Sequence, residues 1–185
     1  MALTVLLGGA RSGKSTLAVR HGHAHHGPVC FIATATATAG DRDMAARIQR
    51  HRRERPAGWS TLEEPLELHA ALQRAPADAL VILDCLTLWV SNQLAARASD
   101  DAVEQHAERA AALAAARAAP VIAVSNEVGM GIVPLDALAR RFRDLHGRVN
   151  ATWVAHAQHA SLVLAGAQLH LDKALAAGAG QAAGL

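Results

Sequence analysis

Apolar residues in this chain fall into short runs separated by stretches with helical spacing. Leu3-Thr-Val-Leu-Leu7 stops at Gly8-Gly9 and predicts a buried strand, with a helix to follow from Lys14 towards Arg20. Val29-Cys-Phe-Ile-Ala33, entered after Gly27-Pro28, predicts a second strand. Asp41 can cap a helix running to about Arg55, closed by Pro56. Leu80-Val-Ile-Leu83 reads as a third buried strand ending at Asp84, followed by helices over about 86–98 and 102–119. Pro120 ends the second of these, and Val121-Ile-Ala-Val124 is a fourth strand. A Gly-rich loop spans Glu127 to Pro134, then a helix runs over about 135–159 with Gly147 interrupting it. Leu162–Leu164 and Leu169–Leu171 read as two closing strands, and the Ala- and Gly-rich tail from Ala174 is expected to fray. Strands alternating with helices imply an α/β fold, a mostly parallel sheet with helices on both faces.

Composition sharpens this only in places. The 185 residues suit a single domain over 1–185, and 51% hydrophobic against 18% charged residues means the chain folds. Aromatics make up 3%, with no Tyr, so the core must come from Ala, Leu, Val and Ile. A formal charge of +2 gives no argument for nucleic acid or an anionic membrane as partner. Cys30 and Cys85 each sit in an apolar run read as a strand, and neither has a CxxC neighbour, so both are expected as reduced, buried thiols. No run approaches the roughly 18 apolar residues of a membrane span. Leu3 to Leu7 is too short, and lacks the basic flank, for a secretory signal, and a soluble, cytoplasmic protein is expected.

The chemistry begins at Gly8-Gly9-Ala10-Arg11-Ser12-Gly13-Lys14-Ser15, a full match to G-x-x-x-x-G-K-[ST] between a strand and a helix. Glycines let backbone N–H groups curl around phosphate oxygens, and the helix N-terminus adds partial positive charge. Lys14 would reach the β- and γ-phosphates, and the Ser15 hydroxyl would bind Mg²⁺. Asp84, at the end of its strand, is the natural second carboxylate for that ion or a cap for the next helix. These features predict a P-loop NTPase-type, RecA-like three-layer fold and an enzyme using ATP or GTP.

A second group lies in Arg47-Ile-Gln-Arg50-His51-Arg52-Arg53-Glu54-Arg55. On a helix Arg47, His51 and Arg55 share a face. One reading is a solvated basic face; the other is a phosphate-binding surface carrying a nucleophile. Surrounding cations disfavour imidazolium, so His51 would be neutral and able to attack phosphorus, with Glu54 orienting its ring.

Several blocks then resemble one family. They are Gly8–Ser15, Phe31–Ala35, Met44–Ile48, His51–Pro56, Trp59 with Glu63-Glu64-Pro65, and Leu83–Thr87 with Asn92. The strongest is Val124-Ser-Asn-Glu-Val-Gly-Met-Gly-Ile-Val-Pro134, followed by Arg140, Phe142, Arg143, Asp144 and Gly147–Asn150. In this order they resemble the adenosylcobinamide kinase/adenosylcobinamide-phosphate guanylyltransferase family of cobalamin biosynthesis. The resemblance implies that a nucleoside triphosphate phosphorylates the aminopropanol hydroxyl of adenosylcobinamide. A histidine then takes GMP from GTP as a phosphoramidate, and adenosylcobinamide phosphate accepts it to give adenosylcobinamide-GDP. His51 falls where the guanylylated histidine of the family should lie. GTP would be touched by Gly8 to Ser15, by Ala33, Thr34 and Ala35, by Arg52, Arg53, Glu54 and Arg55, and by Glu63 and Asp84. Mg²⁺ and a homotrimer are also implied. The chain departs from the family at Ala151, where Gln is common, and at Asp84, which is Glu in some members.

Other signals are weaker. His21-Gly-His23-Ala-His25-His26 resembles a metal tract but has no nearby carboxylate or cysteine, and reads as a surface turn. His106, His146, His156, His159 and His170 carry no useful ligand spacing, apart from a weak His156/His159 pair. Trp59, Trp89 and Trp153 are expected in the core or an interface. The competing functions are a kinase that stops after γ-phosphoryl transfer, needing Lys14, Ser15 and Asp84 but not His51, and a RecA-like nucleotide-gated binding protein. The loop Glu127–Pro134 is the expected corrinoid contact, because it leaves the C-terminal end of a strand.

Overall fold

A computed structural model describes residues 3–35, 52 and 55–172. Its strands are β1 (Leu3–Gly8), β2 (Val29–Ala33), β3 (Ser60–Glu63), β4 (Leu80–Asp84), β5 (Val121–Asn126), β6 (His159–Leu164) and β7 (Ala167–Leu171). The helices are α1 (Lys14–Ala24), α2 (Leu68–Arg74), α3 (Leu86–Ala95), α4 (Asp100–Ala116) and α5 (Ala137–His156). The strands form one sheet in the order β3-β2-β4-β5-β1-β6-β7. Every pairing is parallel except the β6–β7 hairpin. β5 lies between the phosphate-loop strand β1 and the acid-bearing strand β4, which is the RecA-like arrangement of this α/β fold.

The alternation of side chains along each strand divides the core in two. Leu3, Val5, Ile32, Val81, Leu83, Val121 and Ala123 join the larger cluster, covered by α2, α3, α4 and α5. Leu6, Phe31, Ile82, Ile122 and Val124 point the other way, onto Ala18 of α1 with Leu17 and Trp59 beside it. Helices on both faces make β2, β4 and β5 continuous apolar runs, the sequence signature of a parallel sheet. Alanine lets α4 approach closely: Ala107, Ala110, Ala111 and Ala114 are all fully buried. Its start is fixed by Ser99, whose hydroxyl accepts from Ala102 N–H at 3.2 Å, and by Asp100 and Asp101 in the first turn.

Four expectations need correction. α1 runs to Ala24, so His21 and His23 are helical and do not lie in a turn; the His23 ring lies 5.4 Å from that of Trp59. Cys85 is not in a strand but is the N-cap residue between β4 and α3. Gly147 does not interrupt α5, because Leu145, Val149 and Trp153 on the same helix are fully buried and hold it straight through the glycine. Its C-terminal end is also earlier: His159 begins β6 and is not the last helical residue. β3 and α2 have no counterpart in the sequence reading. β3 is Ser-Thr-Leu-Glu, an exposed edge with one apolar residue, and leaves no period to detect. The expected helix from Asp41 to Arg55 lies outside the described residues save Arg52 and Arg55, and so does the tail from Ala174. No helix among the described residues is long and apolar enough to cross a membrane.

Candidate active site

The site is built at the C-terminal edge of the sheet, where β1, β4 and β5 end. Gly8 closes β1, and the chain turns through Arg11 (φ 58°) and Gly13 (φ 102°) into α1. Gly13 needs its glycine for that left-handed value. At Gly8 a side chain has no room: a Cβ would lie 2.4 Å from the Val163 carbonyl oxygen and 2.6 Å from Ser12 Oγ. The cap residue of α1 is Gly13, which makes no side-chain cap, and the helix dipole favours an anion at that end. Ser12 Oγ is buried and has no partner among the described residues, as a donor awaiting a phosphate oxygen would be. The Lys14 ammonium is buried and donates to the Gly9 carbonyl at 2.9 Å, folded back over the loop it serves.

Neighbouring elements fix this cradle. The Gly166 amide in the β6–β7 turn donates to the Ser12 carbonyl at 2.9 Å, and the Glu127 amide donates to the Gly8 carbonyl at 3.0 Å. Neither contact is visible in the motif itself. Asp84 ends β4, and Thr34, fully buried just past β2, ties the two strand ends together. The Thr34 amide donates to the Asp84 carbonyl, its hydroxyl donates to the Cys85 carbonyl and accepts the Cys85 amide (both 2.8 Å). Asn92 of α3 donates to the Thr34 carbonyl at 2.8 Å. Thr34 is therefore committed to positioning, and the Ala33 carbonyl beside it accepts the Glu64 amide at 2.9 Å. Burial, and then the Asp84 charge, push the Cys85 thiol up to about 11, so it stays protonated and unreactive.

Of the basic segment, Arg52 and Arg55 are described. Arg52 is exposed and pairs with the Glu63 carboxylate at the end of β3. Arg55 lies over the Phe31 ring, 3.8 Å from its centroid. Its guanidinium is lowered from its ordinary pKa by burial, with the Asp84 charge opposing the shift, and its Nε has no partner among the described residues. Arg52, Arg55, Glu63, Asp84 and the phosphate loop thus share one edge of the sheet. His51, Arg53 and Glu54 lie outside the described residues.

A buried polar cluster behind this edge escaped the sequence reading. Ser125, His146 and Asn150 are almost or fully buried, with Thr87 beside them. Burial pushes the His146 imidazole down to about 4, so it is neutral. The detectable signal was His146 and Asn150 four apart on α5, on the face of Leu145, Val149 and Trp153. Two polar groups on an apolar face must find each other.

A family model described as "cobinamide kinase / cobinamide phosphate guanyltransferase" matches residues 4–171. The chain belongs to that family. Among curated relatives of this cobinamide kinase/guanyltransferase, the bifunctional adenosylcobalamin biosynthesis protein CobP of Pseudomonas aeruginosa is 43% identical over 170 residues, covering 90% of this chain and 95% of that protein. The bifunctional adenosylcobalamin biosynthesis protein CobU of Salmonella typhimurium is 42% identical over 181 residues, covering 89% and 96%. Among solved structures, a protein of Pyrococcus horikoshii superposes with a TM-score of 0.55 over 91% of this chain and 85% of that one. At 5% identity this likeness bears on the fold alone.

Proposed function

We propose that this cobinamide kinase/guanyltransferase phosphorylates the terminal hydroxyl of adenosylcobinamide with ATP or GTP and then transfers GMP from GTP to the new phosphate. Family membership together with the phosphate loop at the Asp84 edge carries this reading. A kinase without guanylyl transfer would fit the loop equally well but not the family.

The roles follow from the geometry. The amides of the loop and of the first turn of α1, with the Ser12 hydroxyl, hold the triphosphate. Lys14, released from the Gly9 carbonyl, neutralises charge on the transferring phosphoryl group. Among the described residues no group of three or more His, Cys, Asp and Glu side chains could hold a metal. A Ser15 hydroxyl and an Asp84 carboxylate, completed by phosphates and water, still suit Mg²⁺, which keeps much of its own hydration. When bound, Mg²⁺ supplies charge neutralisation at the phosphate oxygens. Arg55, half-buried beside Asp84, and Arg52, at Glu63, add fixed cations to the site. His51 attacks the α-phosphorus of GTP, a P–N bond forms as the bond to pyrophosphate breaks, and the imidazole proton passes to solvent or to Glu54. The phosphate of adenosylcobinamide phosphate then attacks the same phosphorus and regenerates His51. Arg53 belongs to this reading by family likeness, as a further cation for the triphosphate. A homotrimer and a cytoplasmic location belong to this reading by family likeness.

The deciding experiment incubates the protein with Mg²⁺ and GTP labelled on the α-phosphate. Label that is acid-labile, alkali-stable and missing from His51→Ala is the expected result. A native chain that binds GTP yet retains no label on denaturation is instead a plain kinase.

The loop 127–134 suits the corrinoid. Met130 and Ile132 are 78% and 98% exposed, and Leu135 just beyond is 99% exposed. Such an apolar run at the C-terminal end of β5 fits the face of a macrocycle. Ile132→Asp is expected to raise the KM for cobinamide about tenfold, at unchanged KM for the nucleotide, since burying one such side chain is worth about 1.5–3 kcal/mol. Steady-state kinetics with both substrates check this, and an unchanged cobinamide KM removes the loop from the corrinoid site.

A further inference from the structure

β5 extends beyond its neighbour on one side. Its pairing with β4 ends at Val124 opposite Asp84, whereas its pairing with β1 continues to Asn126 opposite Gly8. In a parallel strand the N–H and C=O of one residue point to the same side. The Asn126 peptide groups therefore face the side where β4 has already ended. Side chains replace the missing strand. Thr87 Oγ1, from the first turn of α3, accepts the Asn126 N–H at 2.8 Å. Asn150 Nδ2, from α5, donates to the Asn126 carbonyl at 3.0 Å. The next amide, of Glu127, points back and donates to the Gly8 carbonyl. One residue is thus clamped from two helices, and its successor holds the first glycine of the phosphate loop.

The clamp is itself fixed by proton inventory. Ser125 Oγ–H donates to Asn150 Oδ1 at 2.6 Å, which aims the Asn150 amide nitrogen at Asn126. That leaves Ser125 Oγ, and Thr87 Oγ1, to accept from His146 Nε2, at 3.1 and 3.2 Å. Asn150 Nδ2 lies 3.5 Å from His146 Nδ1, a separation that an acceptor nitrogen tolerates and a second N–H does not. The neutral Nε2–H tautomer fits these distances, in keeping with the depressed imidazole pKa. By strand alternation Ser125 faces this cluster on the side of Ala123, and Asn126 is turned to the opposite face with Val124, the face that carries α1 and the phosphate loop.

The geometry points to Asn150 as a positioning residue for phosphoryl transfer, acting with Thr87 through the Asn126–Glu127 backbone. The pair sets where Gly8 and the Asn126 carboxamide stand relative to the triphosphate. Misplacing catalytic geometry by about 1 Å from a distance can cost about 10²-fold in rate. The inference rests on the kinase reading above. Turnover of the native chain tests that reading, and the ratio of variant to native tests this one.

Three variants are compared with the native chain at a temperature where circular dichroism shows each folded. Thr87→Val keeps the shape and removes the acceptor, and Asn150→Asp keeps the shape and removes the donor. Leu145→Ala is the control, since it truncates a fully buried neighbour on α5 without touching the clamp. Thr87→Val and Asn150→Asp are expected to lower kcat for cobinamide phosphorylation about 10- to 100-fold while KM for the nucleotide stays within about twofold. Leu145→Ala is expected to lower Tm yet keep kcat. A Thr87→Val chain with native kcat overturns the proposal, even if Asn150→Asp fails to fold. So does a Leu145→Ala chain whose kcat falls as far as that of the clamp variants, since the cluster would then be ordinary core.

Discussion

Lys14→Ala is expected to lower cobinamide phosphorylation by about 10²–10³ in kcat, the range found when one preorganised donor to transition-state charge is removed. The side chain is buried, and its ammonium is held over the loop by the Gly9 carbonyl, so little reorganisation separates the resting position from contact with a phosphate. The fold should survive. The turn is set by Gly8 and Gly13 and pinned by the Glu127 and Gly166 amides, none of which involves the lysine side chain. Alanine is also the best helix former at the first position of α1. Lys14→Arg is expected to be nearly as inactive, because a planar fork does not replace a compact ammonium in a buried niche. Guanylyl transfer should fall with phosphorylation if both use this triphosphate cradle, so assaying the two half-reactions on the same variant also asks whether one site serves both. Native kcat for phosphorylation in a folded Lys14→Ala chain would remove the lysine from the mechanism.

Why these features could be read from the sequence, and others could not, is a matter of range. Gly8–Ser15 is a local device: eight consecutive residues dictate a turn, and strand and helix on either side complete it. β2, β4 and β5 are buried on both faces and so print apolar runs. β3 prints nothing, since an exposed edge strand with a single leucine is stabilised by its pairing with β2 and not by its own pattern. Gly147 misled for the complementary reason. Its local helix penalty of about 1 kcal/mol is outweighed by three fully buried neighbours. The supports of the site were hidden most deeply. Thr34, Thr87, Ser125 and Asn150 bond across 24 to 58 residues of chain, and only the sheet register reveals that Asn126 lacks the strand partner that Thr87 and Asn150 replace. Family likeness covers all four and implies a task, contact with GTP, for Thr34 alone.

The largest stability effect is expected at Trp89. Its ring is fully buried in the main cluster on α3, and its Nε1–H donates to the Leu66 carbonyl at 2.7 Å. Gln93, one turn on, donates to the same carbonyl at 2.8 Å, and Asn92 reaches the Pro65 carbonyl at 3.2 Å. α3 thus holds the segment joining β3 to α2, the stretch with the weakest pattern of its own. Trp89→Ala removes a whole buried ring and leaves a cavity, a change worth about 3–5 kcal/mol. At about 2–4 °C per kcal/mol for a chain of this size, Tm should fall by roughly 6–20 °C. Trp89→Phe separates packing from hydrogen bonding. It keeps most of the apolar surface and loses only the donor, and the Leu66 carbonyl still has Gln93. The loss should then be near the 0.5–1.5 kcal/mol typical of one hydrogen bond, plus a small packing defect. Chemical denaturation followed by circular dichroism can rank the two. If Trp89→Phe proves as damaging as Trp89→Ala, the shared carbonyl and not the ring is what α3 contributes. The segment below β3 would then depend on a single acceptor that Gln93 cannot hold alone.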